Sequence, residues 1–334
     1  MTIGIGLLGA GRIGQVHAST IASLAGTKLV AVADPVASAA RDLQTHHGCD
    51  IRSIEQIEAS DDIDAVFICT PTDTHADLIE RFSRAGKAVF CEKPIDLAIQ
   101  RVKACLRVVD ENRGMLMVGF NRRFDPDFMA LKDAIDSGRV GRVEMVSITS
   151  RDPGLPPYEY VARSGGIFRD MMIHDFDVAR WLLDEEIKTV QASASVLIDP
   201  KIGELGDYDS ASAILTSVSG RQCTISNSRR AAYGYDQRIE VLGSKGSVVA
   251  ENTREANIEV ADSGGFHRPP LLNFFMTRYT AAYANEAAAF VQAIKNKTQP
   301  PTTGEDGLIA LALADGALLS VKEGRRVMLS EILD

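Results

Sequence analysis

The stretch Ile3-Gly-Ile-Gly-Leu-Leu8-Gly9-Ala-Gly11-Arg12-Ile13-Gly14 decides the fold. It joins a short apolar run to a G-x-G-x-x-G turn, and a helical pattern follows from about Arg12 to Ala25. A second apolar run, Lys28–Ala33, ends in Asp34, 20 positions after Gly14. Alone, the glycine pattern is weak. Strand, glycine turn, helix, strand and acidic residue in this order make it specific for a dinucleotide. Gly9 permits the tight turn, Gly11 lets backbone approach a pyrophosphate, and Gly14 lets the helix pack on the sheet. The phosphates then meet the positive end of the helix, beside Arg12 and Ile13. Asp34 accepts hydrogen bonds from the adenosine ribose and repels a 2′-phosphate, which favours NAD over NADP. Pro35 follows it, where an arginine would have favoured the phosphate. The alternative is a tight turn that binds nothing.

Working outward, the alternation continues. Helical patterns at Val36–His47, Thr74–Ala85 and Ala98–Asn112 separate apolar runs at Asp64–Ile68, Ala88–Cys91 and Met115–Gly119. This predicts a parallel, doubly wound α/β sheet. Ligands of such sheets lie beyond the carboxyl ends of the strands. Two segments fall there: Cys69-Thr70-Pro71-Thr-Asp-Thr-His75 and Cys91-Glu92-Lys93-Pro94. Lys93 follows a buried strand and precedes a proline that fixes the backbone, so it points at whatever fills the crevice; a solvated turn lysine is the other option. His75 either touches a cofactor or only begins a helix.

After Gly119 the rhythm changes. A helix at Phe128–Ser137, an alternating strand at Val143–Ser150 and a loop at Arg151–Pro157 lead to Gly165–Leu183, which reads as one helix entered from two glycines. At ~100° per residue, Asp170, His174 and Asp177 share one narrow arc. The rest of the circumference is apolar, which predicts burial, and buried carboxylates are costly unless paired. The stripe is therefore either a reaction site or an Asp–His pair that orients a core helix. Strand-like runs follow at Thr189–Ile198, Ser210–Ser217, Gln222–Asn227, Gln237–Leu242 and Gly246–Glu251, then helices at Ala281–Asn296 and Gly304–Glu323. Runs of strands predict an α+β second domain with a mostly antiparallel open sheet. The boundary is expected near 120: an NAD-binding domain over 1–120, and a substrate-binding and oligomerisation domain over 121–334.

A chain of 334 residues is long enough for two such domains. A formal charge of −9 argues against nucleic acid or an anionic membrane as partner. The five cysteines are scattered without a C-x-x-C pair, as in a reducing compartment. The six histidines show no zinc spacing, so no metal is expected. No apolar run approaches the ~18 residues that span a bilayer. A cytoplasmic protein is expected.

Glu92-Lys93-Pro94, taken with Gly165-Gly-Ile-Phe-Arg-Asp170-Met-Met-Ile-His174-Asp-Phe-Asp, resembles the Gfo/Idh/MocA oxidoreductase family. Within it the chain is similar to bacterial inositol 2-dehydrogenases, on stretches that include Gly119–Pro126, Ser150–Pro153, Tyr233–Asp236 and Arg278–Glu286. The resemblance implies a Rossmann domain, a second domain used in homotetramer assembly, and NAD-dependent oxidation of myo-inositol to its 2-keto product. It places the catalytic residues at Lys93, Asp170 and His174. Cofactor contacts then fall on Gly9, Gly11, Arg12, Ile13, Gly14, Asp34, Thr70, Pro71, His75, Glu92 and Lys93. Substrate contacts fall on Lys93, Arg122, Asp152, Asp170, His174 and Tyr235. Histidine suits a general base because its ordinary pKa, ~6.5, lies near working pH. Asp170 would orient that base or bind a neighbouring hydroxyl, and Asp177 is unassigned. A small neutral polyol fits a site carrying both signs of charge. Another sugar or cyclitol is the alternative substrate, and an NAD-binding sensor without turnover the alternative function.

Replacing Asp34 by alanine is expected to narrow the preference for NAD over NADP, read as the ratio of kcat/KM for the two cofactors. An unchanged ratio removes Asp34 as the selector.

Overall fold

Buried apolar runs become the strands of the first sheet. The computed structural model describes residues 2–334. Its first sheet contains β1 (Ile3–Leu8), β2 (Thr27–Ala33), β3 (Asp50–Ile51), β4 (Ala65–Ile68), β5 (Ala88–Glu92) and β6 (Leu116–Gly119). All pairings are parallel, in the order β3-β2-β1-β4-β5-β6. Every residue of β1, β4 and β6 is buried, as expected for parallel strands covered on both faces. Chain order reverses between β1 and β4, which opens a crevice at their carboxyl ends. The two-residue edge strand β3 carries no periodic signal and was not foreseen.

The chain divides into two compact units, 1–124 with 281–311 and 125–280 with 312–334. This differs from a continuous division at residue 120 in placing 121–124 and 281–311 with the first unit. The cause lies in the core of the first unit. The rings of Phe67 and Phe90 stack with centroids 4.5 Å apart, and Phe290 meets them edge-on at 5.5 and 5.9 Å. Ala287, Phe290 and Val291 lie three and four residues apart on the helix Thr280–Asn296, so one apolar stripe completes this core.

The second unit carries β7 (Val143–Arg151), β8 (Ile187–Ser195), β9 (Ser210–Ser217), β10 (Gln222–Ser228), β11 (Asp236–Gly243) and β12 (Gly246–Ala250). A hairpin of β13 (Val260–Asp262) and β14 (Gly265–His267) stands apart, and β15 (Val327–Met328) closes the main sheet. The sheet order is β12-β11-β7-β10-β9-β8-β15, and only β7 and β10 pair in parallel. Burial alternates along β7, β9 and β10. The helix Ile173–Leu183 packs on β7 and β10, while Met145, Ile214, Leu242 and Val249 are exposed.

Gly165–Leu183 is not one helix. Gly165 and Gly166 hold φ of +86° and +83°, and the Ile167 N–H is taken by Asp207 Oδ1 at 2.8 Å. A short helix, Gly166–Asp170, stops at Met171-Met172, where the Met172 N–H returns to the Ile167 carbonyl at 2.9 Å. Ile173–Leu183 is a second helix. The single 3.6-residue period that put Asp170, His174 and Asp177 on one arc is therefore interrupted after Asp170.

All five cysteines are buried free thiols. Among the described residues no helix is long and apolar enough to cross a membrane.

Asp125 shows how this unit holds buried charge. Its carboxylate caps the helix Pro126–Asp136 by accepting the N–H groups of Asp127 and Phe128, and it pairs with the buried Arg278 guanidinium. Asp125→Ala removes the helix cap and leaves the buried cation the more distant, exposed Asp127 carboxylate at 3.6 Å, so chemical denaturation should show a loss of about 3–5 kcal/mol. A loss under about 1 kcal/mol would mean that the pair is dispensable.

Candidate functional site

In the first unit the expected cofactor residues gather at the carboxyl ends of β1, β2, β4 and β5. Gly9 takes φ of +95°, and a Cβ there would lie 2.6 Å from the Cys69 carbonyl oxygen. A Cβ on Gly14 would lie 2.1 Å from the Gly9 carbonyl oxygen, so the helix Arg12–Ser23 and the turn touch backbone to backbone. Gly11 differs from both. Its φ of −67° suits any residue, and a Cβ would meet nothing within 4 Å. What glycine preserves there is open space at a helix N-terminus that has no side-chain cap. Bare N–H groups facing room are the donor set that a pyrophosphate needs, so the chain fits NAD.

Asp34 does more than was foreseen. Its Oδ2 accepts the Ala10 N–H at 2.6 Å and its Oδ1 accepts the Val36 N–H at 2.7 Å. The carboxylate thus ties the glycine turn to the end of β2 and keeps further lone pairs for ribose hydroxyls. Arg12 and Pro71 are exposed, while Ile13, Thr70, Glu92 and Lys93 are partly buried. Thr70 Oγ1 bonds Thr74 Oγ1 at 2.6 Å. Arg122 is buried in the short turn after β6.

His75 was expected among the cofactor contacts. Instead its ring is buried, with Nδ1 2.8 Å from the Pro94 carbonyl oxygen and Nε2 2.8 Å from that of Thr70. The Lys93–Pro94 peptide is cis. On the other side of Lys93, Glu92 Oε1 meets His17 Nε2 at 2.8 Å. His17 had no assigned role, because its spacing with Gly14, Ala18 and Ile21 reads as the buried face of a helix. Burial and the nearby Glu92 charge push the Cys69 thiol well above its ordinary value, so it is protonated and no nucleophile.

In the second unit Asp152, Asp170, His174 and Tyr235 are partly or fully buried. The Asp152 N–H donates to the Ser228 carbonyl at 2.9 Å, which fixes it at the ends of β7 and β10. Tyr235 stands against Tyr279 edge to face, with centroids 6.0 Å apart. Two residues without any sequence signal hold Asp170. The Tyr160 hydroxyl donates to Oδ1 at 2.7 Å, and Arg229 Nη1 lies 3.5 Å from Oδ2. Arg229 is buried and also reaches Asp207 at 3.4 Å. Desolvation at the hydroxyl end and the Asp170 charge push the Tyr160 phenol up, although the ring itself is exposed, so its proton stays on the donor side of that bond. Asp175, one residue after His174, is structural: Ser150 Oγ and Asn227 Nδ2 donate to it at 2.6 and 2.8 Å. Asp177 is buried.

Comparison with known proteins bears on both units. Residues 3–120 match the model described as an oxidoreductase family with an NAD-binding Rossmann fold, and 128–249 match the GFO/IDH/MocA C-terminal domain. An inositol 2-dehydrogenase of Rhizobium meliloti (strain 1021) is 62% identical over 99% of this chain and 100% of its own length. The crystal structure of a myo-inositol dehydrogenase from Corynebacterium glutamicum superposes with a TM-score of 0.95 at 42% identity, covering 98% of this chain and 99% of that one. A scyllo-inositol dehydrogenase from Lactobacillus casei, solved with NAD(H) and scyllo-inositol, gives a TM-score of 0.92 at 31% identity over 99% and 100% of the two chains.

The glycines give a paired test. Gly11→Ala is expected to leave the melting temperature unchanged and to weaken NAD binding by about tenfold, ~1.4 kcal/mol. Gly14→Ala should also destabilise the fold, by about 1–3 kcal/mol from overpacking. Equal NAD affinity in Gly11→Ala and the parent, measured by calorimetry, would remove the pyrophosphate from that space.

Proposed function

The chain belongs to the GFO/IDH/MocA oxidoreductase family, and on that premise we propose that it oxidises myo-inositol to 2-keto-myo-inositol (scyllo-inosose) with NAD. The observation that carries this reading is the end-to-end similarity to an inositol 2-dehydrogenase, at 62% identity. Bound NAD supplies the hydride acceptor, which no side chain can be. The glycine turn, Arg12, Ile13, Asp34, Thr70, Pro71, Glu92 and Lys93 would hold it.

The chain's own groups then divide the remaining work. His174 takes the hydroxyl proton as the C–H bond breaks. Lys93 donates a hydrogen bond to the same oxygen and stabilises the charge that develops on it. Asp170, pinned by Tyr160 and Arg229, orients His174 or binds a neighbouring hydroxyl. A ring of similar hydroxyls is discriminated only by several fixed polar partners, and Arg122, Asp152 and Tyr235 are assigned to that task. His75 is reassigned from cofactor contact to support of the loops. The exposed apolar residues Met145, Ile214, Leu242 and Val249 support a homotetramer built on the open sheet, and the buried free thiols support a cytoplasmic setting. Oxidation of scyllo-inositol is the second reading, favoured by the similarity to the Lactobacillus casei enzyme.

NAD reduction measured over a panel of cyclitols and aldoses tests the substrate. Myo-inositol should give the highest kcat/KM; a higher value with scyllo-inositol or an aldose transfers the assignment. NAD binding without turnover on any polyol would leave a sensor. Lys93→Ala should lower kcat by at least about a hundredfold, on the scale of a lost electrostatic stabiliser, with little change in NAD affinity. Unchanged turnover removes Lys93 from the mechanism.

A further inference from the structure

We propose that His17 and His75 are positioning residues that clamp Lys93 from its two sides, an inference that rests on the catalytic reading of Lys93. Lys93 lies between Glu92 and Pro94, and each neighbour is gripped by a buried histidine from a different helix. His17, on Arg12–Ser23, meets Glu92 Oε1 through Nε2 at 2.8 Å. His75, the first residue of His75–Arg84, meets the Pro94 carbonyl through Nδ1 at 2.8 Å. Neither ring is accessible enough to act on a substrate. Both are placed to act through the residue between them.

The His17 side of the clamp is rigid. Phe67, Phe90 and Tyr283 pack around its fully buried imidazole with centroids 5.1–5.6 Å away, which restricts the ring. Among the described residues its Nδ1 has no hydrogen-bond partner, so the Glu92 contact is the polar contact that defines its orientation. Glu92 is confined from the opposite side as well. A Cβ on Gly119 would stand 3.1 Å from Glu92 Oε2 and 3.2 Å from its carboxyl carbon. The carboxylate therefore fits between a buried imidazole and a strand end that has no room for a side chain.

The His75 side joins two loops. Its Nε2 reaches the Thr70 carbonyl at 2.8 Å, so one ring bridges the chain leaving β4 and the chain leaving β5. The loop expected to touch the cofactor and the loop carrying the lysine are thus held in one register. A reacting group needs such support, because a displacement of about 1 Å can cost on the order of a hundredfold in rate.

The test separates action through Lys93 from general structural damage. His17→Gln and His75→Gln are made alone and in the Lys93→Ala background, and kcat and KM are measured with NAD and the best polyol. Each single change should lower kcat by about tenfold or more, within the range a misplaced group allows, while KM for NAD moves by less than about threefold. In the Lys93→Ala background the same changes should lower the residual kcat by less than about twofold, since positioning a missing lysine has no effect. Gly119→Ala crowds Glu92 without touching either histidine and should give a smaller loss of the same kind. It replaces His17→Gln if that protein is unfolded by circular dichroism. An equal loss with and without Lys93, or an unchanged kcat in the single variants, overturns the clamp alone. Full turnover in Lys93→Ala overturns both the clamp and the catalytic reading of the lysine.

Discussion

The first unit depends on one close approach. The helix Arg12–Ser23 meets the turn after β1 so tightly that a single methyl group at Gly14 would lie 2.1 Å from the Gly9 carbonyl oxygen. Backbone-to-backbone contact fixes the axis of the helix, and its consequences run both ways along it. At the N-terminus, uncapped N–H groups face the space that Gly11 keeps open. One turn further on, His17 arrives at the end of β5 and meets Glu92. The same packing that prepares a phosphate cradle also sets one flank of the lysine.

The second unit solves a different problem, that of keeping carboxylates inside an apolar shell. Buried charge persists only when it is paired and hydrogen-bonded. Arg229 meets this need for two aspartates together, and the Tyr160 hydroxyl completes the set around Asp170. Asp207 in turn takes the first N–H after the glycine pair at 165 and 166, and so anchors the start of the short helix Gly166–Asp170. Polar contacts join the buried apolar side chains in holding the segment that carries Asp170 and His174.

What the sequence disclosed follows the range of each interaction. The glycine turn and the alternation of strand and helix are local patterns with a local physical cause, and both stand in the structure. The interruption at Met171-Met172 was illegible, because no glycine, proline or capping residue stands there and the apolar spacing runs through it unbroken. Tyr160 and Arg229 belong to no motif. His17 and His75 look like ordinary core and helix-start residues until the partners at positions 92 and 94 are brought beside them. The helix Thr280–Asn296 was identified in place, but the unit to which it belongs is a long-range property that periodicity does not contain.

That late helix has a bearing on how the protein is made. Phe67 and Phe90 leave the ribosome long before Phe290, which packs edge-on against both. During synthesis the aromatic core of the first unit therefore waits, part of its apolar surface uncovered, while roughly 160 residues of the other unit are translated; at elongation rates of about 5–20 residues per second this lasts on the order of ten seconds or more. A fragment ending near residue 124 lacks the side chains that would close its own interior. The Rossmann half begins before the second unit in the chain and is completed only after most of that unit has been made.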